Sequence, residues 1–148
     1  MAPPVTARFG KFTVSLSDGG TPETFVAPCG FTSKSLVLGK NLSEIAIPDC
    51  DDPDLAPWLG RDVSSKTASV TGEGVLAASA LPLWQAAFDN DESIRAEVEI
   101  QFSTGAQTYV GAFHLENMTL GAERDGGRVT INVSMQSDGE LVPLWTPA

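Results

Sequence analysis

The densest group of potential ligands is Asp49, Asp51, Asp52 and Asp54. Hard cations such as calcium are held by clustered carboxylates on a loop. An EF-hand loop also needs Gly at its sixth position and Glu at its twelfth, and neither is present. A second acidic group, Asp89, Asn90, Asp91 and Glu92, follows an expected helix, where a solvated turn accounts for it. Nucleophilic catalysis with an imidazole base would have to use His114, the only histidine. It sits in the strand-like stretch Ala112-Phe113-His114-Leu115, and the chain has no Gly-x-Ser-x-Gly elbow. Gly72-Glu73-Gly74 lacks the Lys-Ser/Thr of a phosphate loop and reads better as a bulge or a site of close backbone packing. Two acids could meet for glycoside hydrolysis, but nothing selects a pair. Cys29 and Cys50 each lie at a turn. A bridge would stabilise by about 3 kcal/mol, but the N-terminus lacks the charged-then-apolar pattern of a signal peptide, so two free thiols are expected. These readings predict no enzyme, no metal and no cofactor.

Composition narrows the class. The 148 residues carry nineteen Asp and Glu against nine Lys and Arg, a formal net charge of −10. The average field therefore repels phosphate, which argues against tight binding of free nucleic acid. No apolar run approaches the roughly 20 residues of a membrane span. Hydrophobic residues, 42% of the chain, are spread along its length, so one folded domain spanning 1–148 is expected rather than disorder.

The elements that would position these residues are mostly strands. Ile94, Ala96, Val98, Ile100 and Phe102 alternate with Arg95, Glu97, Glu99 and Gln101. The same period runs over 128–136 and from Phe12 to Leu16, and weaker strands are expected at 23–27, 32–39, 65–76 and 107–115. Asp18-Gly19-Gly20 and Asp125-Gly126-Gly127 mark turns. Leu81, Trp84 and Phe88 have helical spacing in 79–89, with Ser79 as N-cap and Pro82 in the first turn. The stretch from about Lys40 to Ser64 reads as a long irregular loop containing Pro48, Pro53 and Pro57. Its apolar residues Leu42, Ile45, Ile47, Leu55, Trp58 and Leu59 suggest a surface that docks on something.

Several segments together resemble a known family. They are Cys29-Gly30-Phe31-Thr32-Ser33-Lys34-Ser35-Leu36, then Ile47-Pro48-Asp49-Cys50-Asp51-Asp52-Pro53-Asp54, then Trp58 to Asp62, then Ser69-Val70-Thr71-Gly72-Glu73-Gly74-Val75-Leu76 leading into the Trp84 helix. In order and spacing the chain resembles the major tail tube proteins of long-tailed, non-contractile phages, above all the tail tube subunit of phage-like gene transfer agents. The resemblance covers nearly the whole chain.

The resemblance implies a mainly β fold, a two-sheet β-sandwich with one short flanking α-helix. Such subunits form hexameric rings in which sheets join into a continuous β-barrel, and the rings stack into a tube. It further implies an N-terminal arm over 1–7, an inter-ring loop over about 40–64 and a C-terminal arm over about 141–148. The partners would be other copies of the chain and other tail proteins such as tape measure, distal tail and terminator proteins, with DNA passing transiently through the lumen. The protein would be made and assembled in the bacterial cytoplasm and reside in the tail of a virion or gene transfer agent particle, with no membrane partner.

Within that reading, Glu97, Glu99 and Gln101 are expected to face the lumen, where acidic and neutral side chains let DNA slide. Leu42, Ile45, Ile47, Leu55, Trp58 and Leu59 are expected to contact another subunit or ring. The alternative is a stand-alone β-sandwich module that binds carbohydrate or calcium and runs as a monomer or small oligomer.

Overall fold

A computed structural model describes residues 2–19 and 23–148. Met1 of the expected N-terminal arm and Gly20 of the expected first turn lie outside the described residues. The chain folds as a 3-10 turn (Phe9–Lys11), strands β1 (Phe12–Ser17), β2 (Phe25–Val26), β3 (Phe31–Ala46) and β4 (Leu59–Val75), helix α1 (Leu81–Asp89), and strands β5 (Ile94–Phe102), β6 (Gly105–Ala122) and β7 (Val129–Pro147). The fold is mainly β with one short helix, as expected. The strong alternation of 94–102 corresponds to β5 without a residue's difference.

All pairings are antiparallel, and the strands form one sheet in the order β2-β1-β5-β6-β7-β4-β3. The two expected layers are therefore limbs of a single hydrogen-bonded sheet. The long β6–β7 hairpin belongs to both limbs. Residues 105–113 of β6 pair with β5, and 113–122 pair with the first half of β7, which in turn pairs with β4. Between these halves the ladder is broken at Gly111/Phe113 and at Leu115/Asn117. Opposite the first break, Asp138, Gly139 and Glu140 bulge from β7, and Gly139 takes φ +97°, a left-handed value glycine adopts without penalty. Such bulges bend a sheet and change its twist.

The bend brings both limbs around one core. Val14, Leu16, Ala96 and Val98 come from one limb, Ala68, Val70, Ile131, Val133 and Met135 from the other, and Phe113 from the hairpin between them. The helix adds Trp84, which is 1% exposed and meets Phe31 edge-on at 5.8 Å between ring centroids. Aromatic pairs favour this arrangement, because the positive ring edge meets the negative face. Lys34 of β3 donates a 2.6 Å hydrogen bond to the carbonyl of Phe12 in β1, although the two strands are far apart in the strand order.

Four local expectations change. The helix begins at Leu81 with Ala80 at the N-cap and no side-chain cap, while the Ser79 hydroxyl lies 3.4 Å from Cys29 Sγ. Phe88 is exposed; Trp84 and Ala87 are the helix residues buried in the core. The stretch 40–64 is largely strand. β3 and β4 continue as a paired hairpin from Lys40↔Lys66 out to Ala46↔Leu59, leaving only 47–58 irregular. The C-terminal residues 141–147 are likewise paired, to 105–111 of β6. Pro143 and Pro147 are tolerated there because β7 has no partner on its other side in this stretch.

Candidate assembly surfaces

The face of β5 opposite the core carries Glu97, Glu99 and Gln101 together. Sheet register sets their neighbours. Glu97 lies between Ser15 of β1 and Val110 of β6, and Glu99 between Thr13 and Thr108. Register partners share a face, so this is a continuous patch of carboxylates and hydroxyls. Gln101 donates a side-chain hydrogen bond to Glu99. Partial burial pushes the Glu97 carboxyl above its ordinary value, and the neighbouring Glu99 carboxylate adds to the shift. Arg95, at the end of the same strand, is engaged by Glu23 at 3.2 Å. The three residues singled out on this strand are thus brought together.

The apolar residues of the expected docking loop are not brought into one patch. Leu42 lies opposite Val63 and Ile45 opposite Gly60; three positions apart on one strand, they project from opposite faces of the hairpin. Leu59 closes the paired region against Ala46, while Ile47, Leu55 and Trp58 belong to the connecting tip. All six are exposed, and Trp58 is 97% exposed. A tryptophan in that state leaves a large apolar area in water.

Several strand edges are open among the described residues. β3 pairs only with β4, β7 beyond Ser137 only with β6, β4 before Ser69 only with β3, β6 beyond Phe113 only with β7, and the short β2 only with β1. Their unpaired N–H and C=O groups are templates for another strand. Sequence reading missed the consequence, because the alternation that reveals a half-buried strand is weak where both faces are exposed.

No group of three or more His, Cys, Asp or Glu that could hold a metal ion occurs among the described residues. His114 is exposed and lies 3.3 Å from Asp138 at the sheet bend. Cys29 and Cys50 are free and exposed.

The family described as phage tail tube protein matches residues 6–143. Among solved structures, the fold is similar to a chain from the tail of an empty gene transfer agent particle, determined with C6 symmetry. The TM-score is 0.72 at 17% identity, over 93% of this chain and 98% of that one. A chain of the SPP1 tail tube gives 0.65 at 13% identity, over 97% and 80%. A chain from the sheath–tube complex of an extracellular contractile injection system gives 0.61 at 10% identity, over 95% and 93%. No curated protein sequence matches this chain.

Proposed function

The chain belongs to the phage tail tube protein family, and from that premise we propose that it forms six-membered rings that stack into a hollow, DNA-conducting tube. Six-fold symmetry is that of the gene transfer agent tail whose subunit shares this fold. Open edges at β3 and at the end of β7 support ring formation, since joining edges between neighbours removes them. The tube would sit in the tail of a virion or gene transfer agent particle after assembly in the bacterial cytoplasm. It would meet the tape measure, distal tail and terminator proteins along its length and at its ends.

The observation that carries the lumen reading is the outer face of β5. Glu97, Glu99 and Gln101 lie among Thr13, Ser15, Thr108 and Val110. A wall of this kind repels phosphate, and the arginine on the same face, Arg95, is already paired with Glu23. The hairpin arm and its tip, with Leu42, Ile45, Ile47, Leu55, Trp58 and Leu59, serve as the contact with another subunit or ring.

Negative-stain electron microscopy of the purified protein should show rings or tubes; a monomer at high concentration would overturn the reading. The pair Glu97→Lys with Glu99→Lys should still assemble in particles yet reduce DNA delivery. Failure to form rings would place these residues at an interface between subunits rather than on the lumen wall.

A further inference from the structure

The hairpin arm carries a charge conflict that the subunit does not resolve internally. Lys40 and Lys66 are direct cross-strand partners, on the face that continues core-facing Leu36 and Val70 outward. Like charges placed opposite each other in an antiparallel pair destabilise it. Neither lysine forms an ion pair among the described residues. Both line an open cleft of about 810 Å³ between the base of the arm and the outer half of the β6–β7 hairpin. Leu38, Tyr109, Leu141 and Pro143 give this cleft apolar walls, and its one carboxylate, Glu140, stands on the β7 side. The cleft thus presents apolar surface with a net positive charge, in a protein of net charge −10.

The matching chemistry sits at the other end of the same arm. The tip carries Asp49, Asp51, Asp52 and Asp54 beside the exposed apolar side chains of Ile47, Leu55 and Trp58. A chain cannot place its tip in its own cleft. From Lys40 to Ala46 the arm is paired β-ribbon, a span of roughly 20 Å at about 3.4 Å per residue.

We propose that the Lys40/Lys66 cleft receives the acidic arm tip of a second copy of this chain. Cleft and tip are different surfaces of one subunit, so the contact is head-to-tail and propagates from copy to copy. It rests on the tube reading and supplies that reading with a directional link between subunits. Two cations meet up to four carboxylates, and apolar walls receive Leu55 or Trp58. Because the contact is electrostatic at an exposed site, it weakens with salt.

The test uses two full-length variants. Lys40→Glu with Lys66→Glu leaves an acidic tip and makes the cleft acidic. Asp51→Lys, Asp52→Lys and Asp54→Lys combined take the four-Asp tip from net negative to net positive and leave the cleft basic. Alone, each should raise the concentration needed for stacking by about tenfold or more, as juxtaposed like charges oppose association. Mixed in equal amounts they should co-assemble toward wild-type levels, because each tip then finds a cleft of opposite sign. Recovery in the mixture also shows that both variants are folded. Variants that each stack like wild type, or a mixture no better than its components, would overturn the proposal. Absence of rings from the wild-type protein would instead overturn the tube reading itself.

Discussion

Lys34 Nζ donates a 2.6 Å hydrogen bond to the backbone carbonyl of Phe12 and stands 4.5 Å from the centre of the Phe9 ring. The bond joins β3, the last strand in the sheet order, to β1 near the other end. It is a direct tie across the two limbs of the bent sheet. Burial lowers the Lys34 pKa from its ordinary value, so the ammonium is held at some cost and depends on these two contacts. Lys34→Met, which keeps the apolar stem, should destabilise the folded subunit by about 1.5–3 kcal/mol, the range for a hydrogen bond to a charged group. Urea unfolding of the unassembled subunit checks this.

Trp84 predicts a graded response. Its side chain is almost wholly buried, yet its indole N–H has no hydrogen-bond partner among the described residues. Trp84→Ala should cost about 3–5 kcal/mol through the cavity it leaves. Trp84→Phe removes the unpaired donor as well as some volume, so its cost should be clearly smaller. Both variants remove the indole donor, so the order of their melting temperatures reports the volume lost; a Trp84→Phe melt no higher than that of Trp84→Ala would contradict the packing role.

Glu97 predicts a pH dependence. Its carboxyl pKa is raised in the folded subunit above the ordinary 4.5. The folded state then binds the proton more tightly than the unfolded chain, so ionisation at neutral pH costs stability. That cost disappears as pH falls through the raised value towards 4.5. Glu97→Gln should therefore be more stable than wild type at pH 7, with the difference narrowing towards pH 4.5. Denaturant midpoints across that range provide the measurement.

Gly74 predicts intolerance to the smallest side chain. A Cβ there would stand 2.6 Å from Phe31 Cα and 2.7 Å from the Thr32 nitrogen, both backbone atoms of the paired strand. Real Cβ contacts are not that short, so β3 and β4 would have to part locally. Gly74→Ala should cost at least about 1–3 kcal/mol, as overpacking does elsewhere. Reduced soluble yield and a lower melting temperature would register it.

Trp58 predicts the opposite pattern. Being 97% exposed, it contributes little to the subunit's own packing. Trp58→Ala should leave the subunit melting temperature nearly unchanged and shorten or weaken tubes. Tubes of normal length and stability would remove Trp58 from the inter-subunit contact.

Strands with one buried face were readable residue by residue. Val98 and Glu97 differ in environment, and their alternation records it. The hairpin arm was not readable in this way. Leu42, Ile45 and Val63 are exposed on both faces of a two-stranded ribbon, so no burial imposes a period of two, and the interspersed prolines read as loop. The end of β7 escaped for a related reason: Pro143 and Pro147 argue against a central strand but not against one with an open side.

The sequence by itself determined that the chain is a β-rich acidic domain with one helix. It also placed Glu97, Glu99 and Gln101 on one face, because strand geometry alone fixes side-chain alternation. The family resemblance, too, was carried by local segments in order. Only the tertiary structure decided that both layers belong to one sheet bent at Gly111–Asn117, and that Lys34 reaches Phe12. It alone set Lys40 opposite Lys66 beside an apolar cleft. Those relationships depend on register and bulges between segments distant in sequence, and a register shift of one residue would alter each of them.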